Sequence, residues 1–383
     1  MRRRVILNQM AYFGRGALAE LVPELQRRGF AKAFVVTDAV LIEVGTAARV
    51  TDLLHRAGFP YQVFSDVAPN PPVESVLAGV AALQESGADV IIGLGGGSPQ
   101  DTGKAIGIIA NNPEFSDVLS LEGAAPTKNP SVPIVGIPTT AGTASETTIH
   151  YVISDKKNNR KFACVDPHDI PVLAIVDPDL MHAMPRALKV ATGLDALTHA
   201  IEGYITRDAW EFSDAILLKA IQMIAMNLRA AAEGDPKAVE AMSYASYMAG
   251  IGFSNVGLGL VHGMAHPLSG RYNAPHGLAN GILLATVMEY NAEYTGDKYR
   301  DIAAAFGMED AYECCLDEAR RIAVASVRDL VSDLGNPTSI AAVGATEDGL
   351  DGLADDAIVD VNTPGNPRPV SREDVRRLYA SLL

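Results

Sequence analysis

Residues 90–101 read VIIGLGGGSPQD, a short aliphatic run followed at once by three glycines. The run predicts a buried strand, and Ser98 and Pro99 suit the N-cap and first turn of a helix that follows it. Glycines let backbone N–H groups approach a ligand closely, and a helix N-terminus favours negative charge. The stretch therefore predicts a pyrophosphate site, although its spacing is not G-x-G-x-x-G and a plain strand-to-helix turn is the alternative.

The sequence on both sides of this stretch alternates strand-like and helix-like segments. Strand-like runs occupy residues 33–37, 61–64 and 134–137, and helix-compatible stretches include residues 18–28 and 73–86. Such alternation predicts a parallel sheet that is covered by helices on both faces. Further strand-like pieces lie at residues 148–153, 161–165 and 172–176. The turn-rich residues between the first two of these pieces predict an antiparallel hairpin.

The second half of the chain has a different pattern. After about residue 185, strand-like runs become scarce and long stretches rich in Ala, Leu and Met predict helices. A length of 383 residues suits two domains. We therefore predict a Rossmann-like α/β domain with a parallel sheet over residues 1–185, followed by an all-α domain over residues 186–383.

Composition excludes several classes of partner and location. Lys and Arg number 31 against 46 for Asp and Glu, which gives a net charge of −15. Such an acidic chain repels nucleic acid and anionic membranes. The sequence contains neither a secretory apolar segment after its basic start nor a continuous apolar run of about 18 residues. The 3 cysteines, of which two are adjacent, indicate a reducing compartment, so we expect a cytoplasmic protein.

Two further features of the first half could contact a dinucleotide. Asp38 follows the first predicted strand, where ligands of open α/β sheets bind. A carboxylate there can accept hydrogen bonds from an adenosine ribose and repels a 2′-phosphate, which favours NAD over NADP. The loop PTTAGTASE at residues 138–146 offers hydroxyl groups to a phosphate or to the nicotinamide carboxamide. The alternatives are a helix N-cap for Asp38 and an ordinary Thr/Ser turn for the loop.

Histidines cluster in the helical half. Asp195 and His199 are four residues apart in GLDALTH, so on a helix their Cβ atoms lie about 6 Å apart on one face. The segment GLGLVHGMAHPLSGRYNAPHG at residues 257–277 holds three more of the 8 histidines of the chain, which are His262, His266 and His276. We expect Pro267 and Pro275 to break helices, so that His276 begins a new element.

This residue set has the chemistry of a transition-metal site. One carboxylate and three neutral imidazoles suit Fe²⁺ or Zn²⁺, whereas Ca²⁺ and Mg²⁺ prefer oxygen ligands. The alternative for any single histidine is an ordinary hydrogen-bonded side chain. The spacing does not reveal which of the four histidines is not a ligand.

The motifs GGGSPQDTGKAIG, IPTTAGTASE, ATGLDALTHAIEGY and GLGLVHGMAHPLSGRYNAPHG resemble the iron-containing (group III) alcohol dehydrogenase family over nearly the whole chain. The resemblance implies an NAD-dependent reduction of a short aldehyde, with lactaldehyde and 1,2-propanediol as the expected pair, and a homodimer. It implies that Fe²⁺, or Zn²⁺, is bound by Asp195, His199, His262 and His276. It also implies that His266 lines the site as a catalytic proton relay.

The same resemblance assigns the cofactor and substrate residues. It implies that NAD contacts Asp38, Asn70, Gly96, Gly97, Ser98, Thr139, Thr140, Thr143, Lys161 and Leu180. It places His150, Phe253 and Asn362 at the substrate pocket. His150 and Asn362 depart from the residues of a close family member, so the preferred aldehyde is open.

Three other functions remain as alternatives. One is a family member with a different short alcohol or diol as substrate. Another is a lyase of the same fold, similar to dehydroquinate synthase, which would need several basic residues near the metal, whereas the ligand segments offer chiefly Lys189 and Arg271. The third is a metal-dependent hydrolase, which would need no nicotinamide.

Overall fold

The computed structural model describes residues 2–158 and 160–383. The described residues pack into two compact units, the first ending at Ala183 and the second running from Met184 to Leu383. The first unit contains the sheet, and the second unit is helical. The predicted fold class is therefore confirmed.

A parallel sheet forms the centre of the first unit. Among the described residues it has six strands in the order β1-β8-β5-β4-β2-β3, and every neighbouring pair is parallel. An antiparallel hairpin of β6 and β7 stands apart from it, as predicted. The strands are β1 (Met10–Phe13), β2 (Ala33–Val36), β3 (Tyr61–Phe64), β4 (Val90–Gly95), β5 (Ile134–Pro138), β6 (His150–Asp155), β7 (Arg160–Val165) and β8 (Leu173–Val176).

Strand β1 is absent from the sequence-based prediction. It lies at the edge of the sheet and pairs with β8 alone, and its side chains are partly or fully exposed. The strand reads MAYF, an apolar run of only four residues. Periodicity cannot assign so short a run to a strand or a helix, and its pairing with β8 is what identifies it as a strand.

Helices cover both faces of this sheet. Val35 of β2 belongs to one apolar cluster, whereas its neighbours Phe34 and Val36 belong to another. This alternation is expected when successive side chains of a strand point to opposite, equally buried faces. The helices of the unit are α1 (Leu21–Arg27), α2 (Ala39–Glu43), α3 (Thr46–Arg56), α4 (Val73–Ser86) and α5 (Gly97–Asn111).

Helix α5 begins earlier than the sequence predicts. Gly96 is its N-cap and Gly97 its first residue, so the prediction that Ser98 is the N-cap is wrong. Gly95 has φ +150°, a conformation that side chains other than glycine rarely adopt, and it turns the chain directly from β4 into the helix. Because Gly96 has no side chain to cap the helix, the first-turn N–H groups face outward as donors for a ligand.

The second unit is built from the helices α6 (Arg186–Ile205), α7 (Glu211–Ala232), α8 (Pro236–Val256), α9 (Leu260–Tyr272), α10 (His276–Asn291), α11 (Lys298–Ala305), α12 (Leu316–Asp333), α13 (Leu350–Val359) and α14 (Arg372–Ala380). Within residues 2–158 and 160–383, one helix, α7, is long and apolar enough to cross a membrane by length and composition. It packs against α6 and α8, as a core helix of the bundle does.

The two prolines of the histidine segment act differently. Pro275 is the N-cap of α10 and His276 is its first residue, as predicted. Pro267 lies inside α9, so the prediction that it breaks the helix is wrong. A proline removes one helical hydrogen bond and crowds the carbonyl four positions earlier, but α9 is buried and packs against α10 and α13, and this tertiary packing keeps the helix continuous. His262 and His266 consequently share one continuous helix.

Candidate metal centre and cofactor site

Four side chains from three helices converge in the helical unit. Asp195 and His199 come from α6, His262 from α9 and His276 from α10. The Nε2 atoms of His199, His262 and His276 lie 3.9, 3.8 and 3.6 Å from Asp195 Oδ1. Ligand atoms of Asp195, His262 and His276 all lie within 4.8 Å of one another, so a single ion can contact them together.

The surroundings favour neutral imidazole ligands. Asp195, His199 and His262 are buried, and burial lowers the pKa of His262 to about 4. His199 stacks on His262 with ring centroids 4.6 Å apart. His199 also stacks on Phe253 with ring centroids 4.3 Å apart, so the predicted pocket residue Phe253 contacts the ring of a predicted ligand.

Glu202 belongs to this site but was not predicted from the sequence. Its Oε2 lies 2.6 Å from His262 Nδ1, and its Oε1 accepts a hydrogen bond from the N–H of Val261 over 2.5 Å. Burial raises the pKa of Glu202 to about 7, although the backbone N–H groups that it accepts lower it. The available signal was its position seven residues after Asp195, on the same face of α6.

Asn280 is a second residue that was missed. Its Nδ2 donates to Asp195 Oδ1 over 2.7 Å and lies 3.4 and 3.3 Å from Nε2 of His262 and His276. Asn280 is fully buried. It follows His276 by four residues on α10, the spacing that placed His199 beside Asp195.

His266 faces a different partner from the other three histidines. Its Nδ1 lies 2.7 Å from Asp360 Oδ2, and its ring stacks on His276 with centroids 5.3 Å apart. Asp360 Oδ1 accepts two hydrogen bonds from Asn362, from the backbone N–H and from Nδ2, each over 2.9 Å. Asn362, a predicted pocket residue, thus orients the carboxylate of Asp360, which in turn contacts His266.

The glycine turn and the hydroxyl loop meet in the first unit. A Cβ atom on Gly97 would lie 2.9 Å from Thr143 Cγ2, and one on Gly96 would lie 3.3 Å from the Thr140 side chain. Thr139 reaches the same turn, because its N–H donates to Gly95 O over 3.1 Å. The backbone can pass this close to the threonine side chains only because these positions are glycine. Glycine backbone N–H groups at the start of a helix suit a bound pyrophosphate.

Helix α5 also fixes that loop from beneath. Lys104 is fully buried, and its Nζ donates to the carbonyl oxygens of Thr148 and His150 over 2.6 and 2.8 Å. Asp101 accepts from Ser145 Oγ and from the N–H of Val152. Both residues were missed, although they follow the three glycines at helical spacing and are unusual charges in a buried segment. Helix α5, whose first turn is the predicted pyrophosphate site, thus also positions the threonine-rich loop at residues 138–146.

The other residues predicted to contact NAD also lie in the first unit. Asp38 is the N-cap of α2 and accepts from Leu41 N over 2.9 Å, which is the alternative considered above. Ser98 lies in the first turn of α5, and Leu180 is buried in an apolar cluster. Asn70 has φ +58° and precedes Pro71, whose carbonyl accepts from Ser154, the hairpin partner of Lys161.

Both groups that the sequence implied fit the residues present. A carboxylate and three neutral imidazoles provide three nitrogen donors and one oxygen donor, a set that Fe²⁺ and Zn²⁺ accept. Gly96 and Gly97 lie so close to the threonine side chains that a Cβ would be crowded at either position, and the backbone N–H groups at this helix start are donors that suit a phosphate. The two sites together define a class of metal- and nucleotide-dependent oxidoreductases.

Comparison with known proteins identifies the family. The iron-containing alcohol dehydrogenase profile matches residues 8–178, and the profile of the Fe-containing alcohol dehydrogenase family, C-terminal, matches residues 189–383. The chain belongs to the iron-containing alcohol dehydrogenase family and is an oxidoreductase of that class. The family resemblance predicted from the motifs is thereby confirmed.

Individual relatives are similar over nearly their whole length. The chain is 56% identical over 379 residues to lactaldehyde reductase of Escherichia coli K12, covering 99% of both chains. It is 37% identical over 372 residues to the NAD-dependent methanol dehydrogenase of Bacillus methanolicus, covering 97% of both. The crystal structure of a 1,3-propanediol oxidoreductase superimposes with a TM-score of 0.96 at 37% identity, covering 100% of both chains.

Proposed function

We propose that this protein is an NAD-dependent lactaldehyde reductase that interconverts lactaldehyde and 1,2-propanediol with one Fe²⁺ ion. The observation that carries the proposal is the convergence of three Nε2 atoms on Asp195 Oδ1 within 3.9 Å. The ligands are Asp195, His199, His262 and His276. Zn²⁺ is the alternative ion, since the same donor set accepts it.

The bound groups and the side chains divide the chemistry between them. When bound, a divalent cation acts as a Lewis acid towards the aldehyde oxygen, and NADH supplies the hydride. Asp195 contributes the one negative charge among the ligands, and burial keeps the imidazole of His262 neutral. His266 relays the proton through Nε2: it takes the proton of the alcohol in the oxidising direction and returns that proton to the oxygen in the reducing direction, while its Nδ1 remains on Asp360.

NAD binding rests on the first unit. Gly96, Gly97 and Ser98 present backbone N–H groups to the pyrophosphate, and the side chains of Thr139, Thr140 and Thr143 line the same region. Asp38 accepts hydrogen bonds from the adenosine ribose in addition to capping α2. Asn70, Lys161 and Leu180 complete the contacts with the cofactor.

The substrate residues and the setting of the enzyme complete the proposal. His150, Phe253 and Asn362 border the aldehyde. Since two of them depart from a close family member, a different short aldehyde or diol is the second candidate substrate. The enzyme works as a homodimer in the cytoplasm.

The test is a panel of short aldehydes assayed with NADH, using protein loaded anaerobically with Fe²⁺ and, separately, with Zn²⁺. Stoichiometric consumption of NADH, fastest with lactaldehyde, supports the proposal. A faster reaction with another aldehyde keeps the class and changes the substrate. A product formed without net consumption of NADH would instead indicate a lyase that regenerates its cofactor.

A further inference from the structure

Two histidines of α9 contact carboxylates in the same way. His262 Nδ1 lies 2.6 Å from Glu202 Oε2, and His266 Nδ1 lies 2.7 Å from Asp360 Oδ2. Each carboxylate also accepts other N–H groups, Glu202 from Val261 and His262 and Asp360 from Asn362, so we assign both carboxylates as acceptors and the hydrogen to each Nδ1. Each Nε2 is then left with its lone pair.

The two carboxylates differ in how firmly they are held. Glu202 accepts from the N–H groups of Val261 and His262 as well as from the His262 ring, so it caps the first turn of α9 and fixes the ring together. Gly259 allows this approach, because a Cβ on Gly259 would lie 3.0 Å from Glu202 Oε1. The His262 ring therefore cannot turn without disturbing the start of its helix.

The Asp360 carboxylate lies just after the end of α13, where Asn362 donates to it twice. The side chains of His266 and Asp360 are 9% and 12% exposed, whereas those of His262 and Glu202 are 2% and 3% exposed. A metal ligand benefits from a rigid, dry surrounding. The second pair is less deeply buried than the first, which suits a residue that exchanges protons better than a metal ligand.

We propose that Glu202 is the positioning residue that fixes His262 as a metal ligand, and that Asp360, held by Asn362, orients His266 without contributing to metal affinity. This inference rests on the proposed function, since it takes His262 as a ligand and His266 as the proton relay. It explains why two histidines with the same tautomer, one helical turn apart, have different functions.

The first test needs no mutation. Metal-free protein with ¹⁵N-labelled histidine rings is examined by NMR, and the His262 and His266 signals are assigned by substitution. We expect Nδ1 protonated and Nε2 unprotonated in both rings. A His262 ring protonated mainly at Nε2 would overturn the inference, whatever the variants do.

The second test measures Zn²⁺ affinity by competition with a chromogenic chelator. Glu202→Gln keeps the size of the side chain but has one oxygen in place of two. It therefore cannot accept from both His262 Nδ1 and the N–H of Val261. We expect affinity to fall about 10–100-fold, the usual loss when the outer partner of a metal-bound histidine is removed. Circular dichroism checks that the variant is folded. If the variant does not fold, the NMR measurement of the His262 tautomer in the wild type tests the role of Glu202 instead.

Asp360→Asn is the matched control, because it alters an equivalent carboxylate–histidine pair. We expect its Zn²⁺ affinity to stay within about threefold of the wild type. This change is much smaller than the loss of about 10–100-fold that is typical when the outer partner of a metal ligand is removed. Its kcat for the aldehyde should fall while KM for the aldehyde stays the same. Equal loss of affinity in both variants would refute the distinction between the pairs.

The outcomes separate this inference from the proposed function. If Glu202→Gln binds Zn²⁺ as tightly as the wild type does, the role of Glu202 is refuted and the enzyme stands. If the wild type itself binds no Zn²⁺ and no Fe²⁺, the metal centre and the inference are both refuted.

Discussion

Asn280 donates a hydrogen bond from Nδ2 to Asp195 Oδ1 over 2.7 Å, across 85 residues of sequence. The same Nδ2 lies 3.3–3.4 Å from Nε2 of His276 and His262. One amide group thus contacts three of the proposed ligand atoms. It orients the Asp195 carboxylate, and a donor beside the two Nε2 atoms favours the tautomer that leaves their lone pairs available.

Replacing Asn280 should weaken metal binding. Asn280→Leu keeps the approximate shape and removes the donor, so we expect Zn²⁺ affinity to fall at least tenfold, as for other outer partners of metal ligands. Asn291→Leu is the control: Asn291 is also buried on α10, but it pairs with Asn366. Unchanged affinity in Asn280→Leu, measured by chelator competition, would contradict the assignment.

Removing a ligand should separate metal binding from cofactor binding. His262→Ala takes away one of the four proposed ligands, and Lewis-acid catalysis supplies several kcal/mol, so kcat should fall by roughly 10³-fold or more. Metal content measured by mass spectrometry should fall with it. NADH affinity, measured by fluorescence titration, should stay close to that of the wild type. Full activity after chelator treatment would rule out the metal mechanism.

The close contact between Gly97 and Thr143 gives a prediction whose effect a second substitution should reverse. The Cβ of Gly97→Ala would lie 2.9 Å from Thr143 Cγ2, closer than real Cβ contacts allow, so the loop must shift. We expect Kd for NADH to rise about tenfold, equivalent to about 1.4 kcal/mol. The double variant Gly97→Ala/Thr143→Ser lacks the clashing methyl group and should recover much of the affinity. Equal affinity in Gly97→Ala and wild type would place the pyrophosphate elsewhere.

Asp38 should determine the choice between NAD and NADP. A carboxylate at the ribose repels a 2′-phosphate, so kcat/KM should be higher with NADH than with NADPH. Asp38→Ser keeps an N-cap for α2 and removes the charge, so the preference for NADH should shrink by at least tenfold, or about 1.4 kcal/mol. A wild-type enzyme that prefers NADPH would refute the role of Asp38.

Stability should depend on pH through Glu146, which is 2% exposed near Lys104. Burial raises the pKa of Glu146 to about 7 from its model-compound value of 4.5. A raised pKa contributes stability that is complete below about pH 4.5 and is lost as the pH rises through about 7.

Glu146→Gln removes this ionisation. Between about pH 5 and pH 8 the wild type should therefore lose roughly 3 kcal/mol of unfolding free energy that the variant keeps. Denaturant unfolding at both pH values measures the difference. Glu85→Gln, at an exposed site on α4, is the control and should follow the wild type. A parallel decline in all three proteins would show that Glu146 does not titrate in this range.

Local sequence predicted the parts of the fold that local physics controls. Strands β2, β3, β4 and β5 appear within a residue of their predicted bounds. Strands β2, β4 and β5 are buried throughout and are continuous apolar runs, whereas the edge strand β3 is marked by its aromatic and β-branched residues. The hairpin of β6 and β7 follows from the turn residues between the strands. Strand β1 was not predicted, since its four apolar residues are too few to assign and only its pairing with β8 makes it a strand.

The sequence alone determined the chemical inventory of this protein: a glycine turn at a helix start, and a carboxylate and histidines at helical spacing. These follow from residue type and from the periodicity of a single helix. Only the tertiary structure decided which of these side chains meet. Glu202 reaches His262 across 60 residues and Asp360 reaches His266 across 94, and no local pattern encodes such contacts. They depend on how α6, α9 and the end of α13 pack, and that packing distinguishes two otherwise similar histidines.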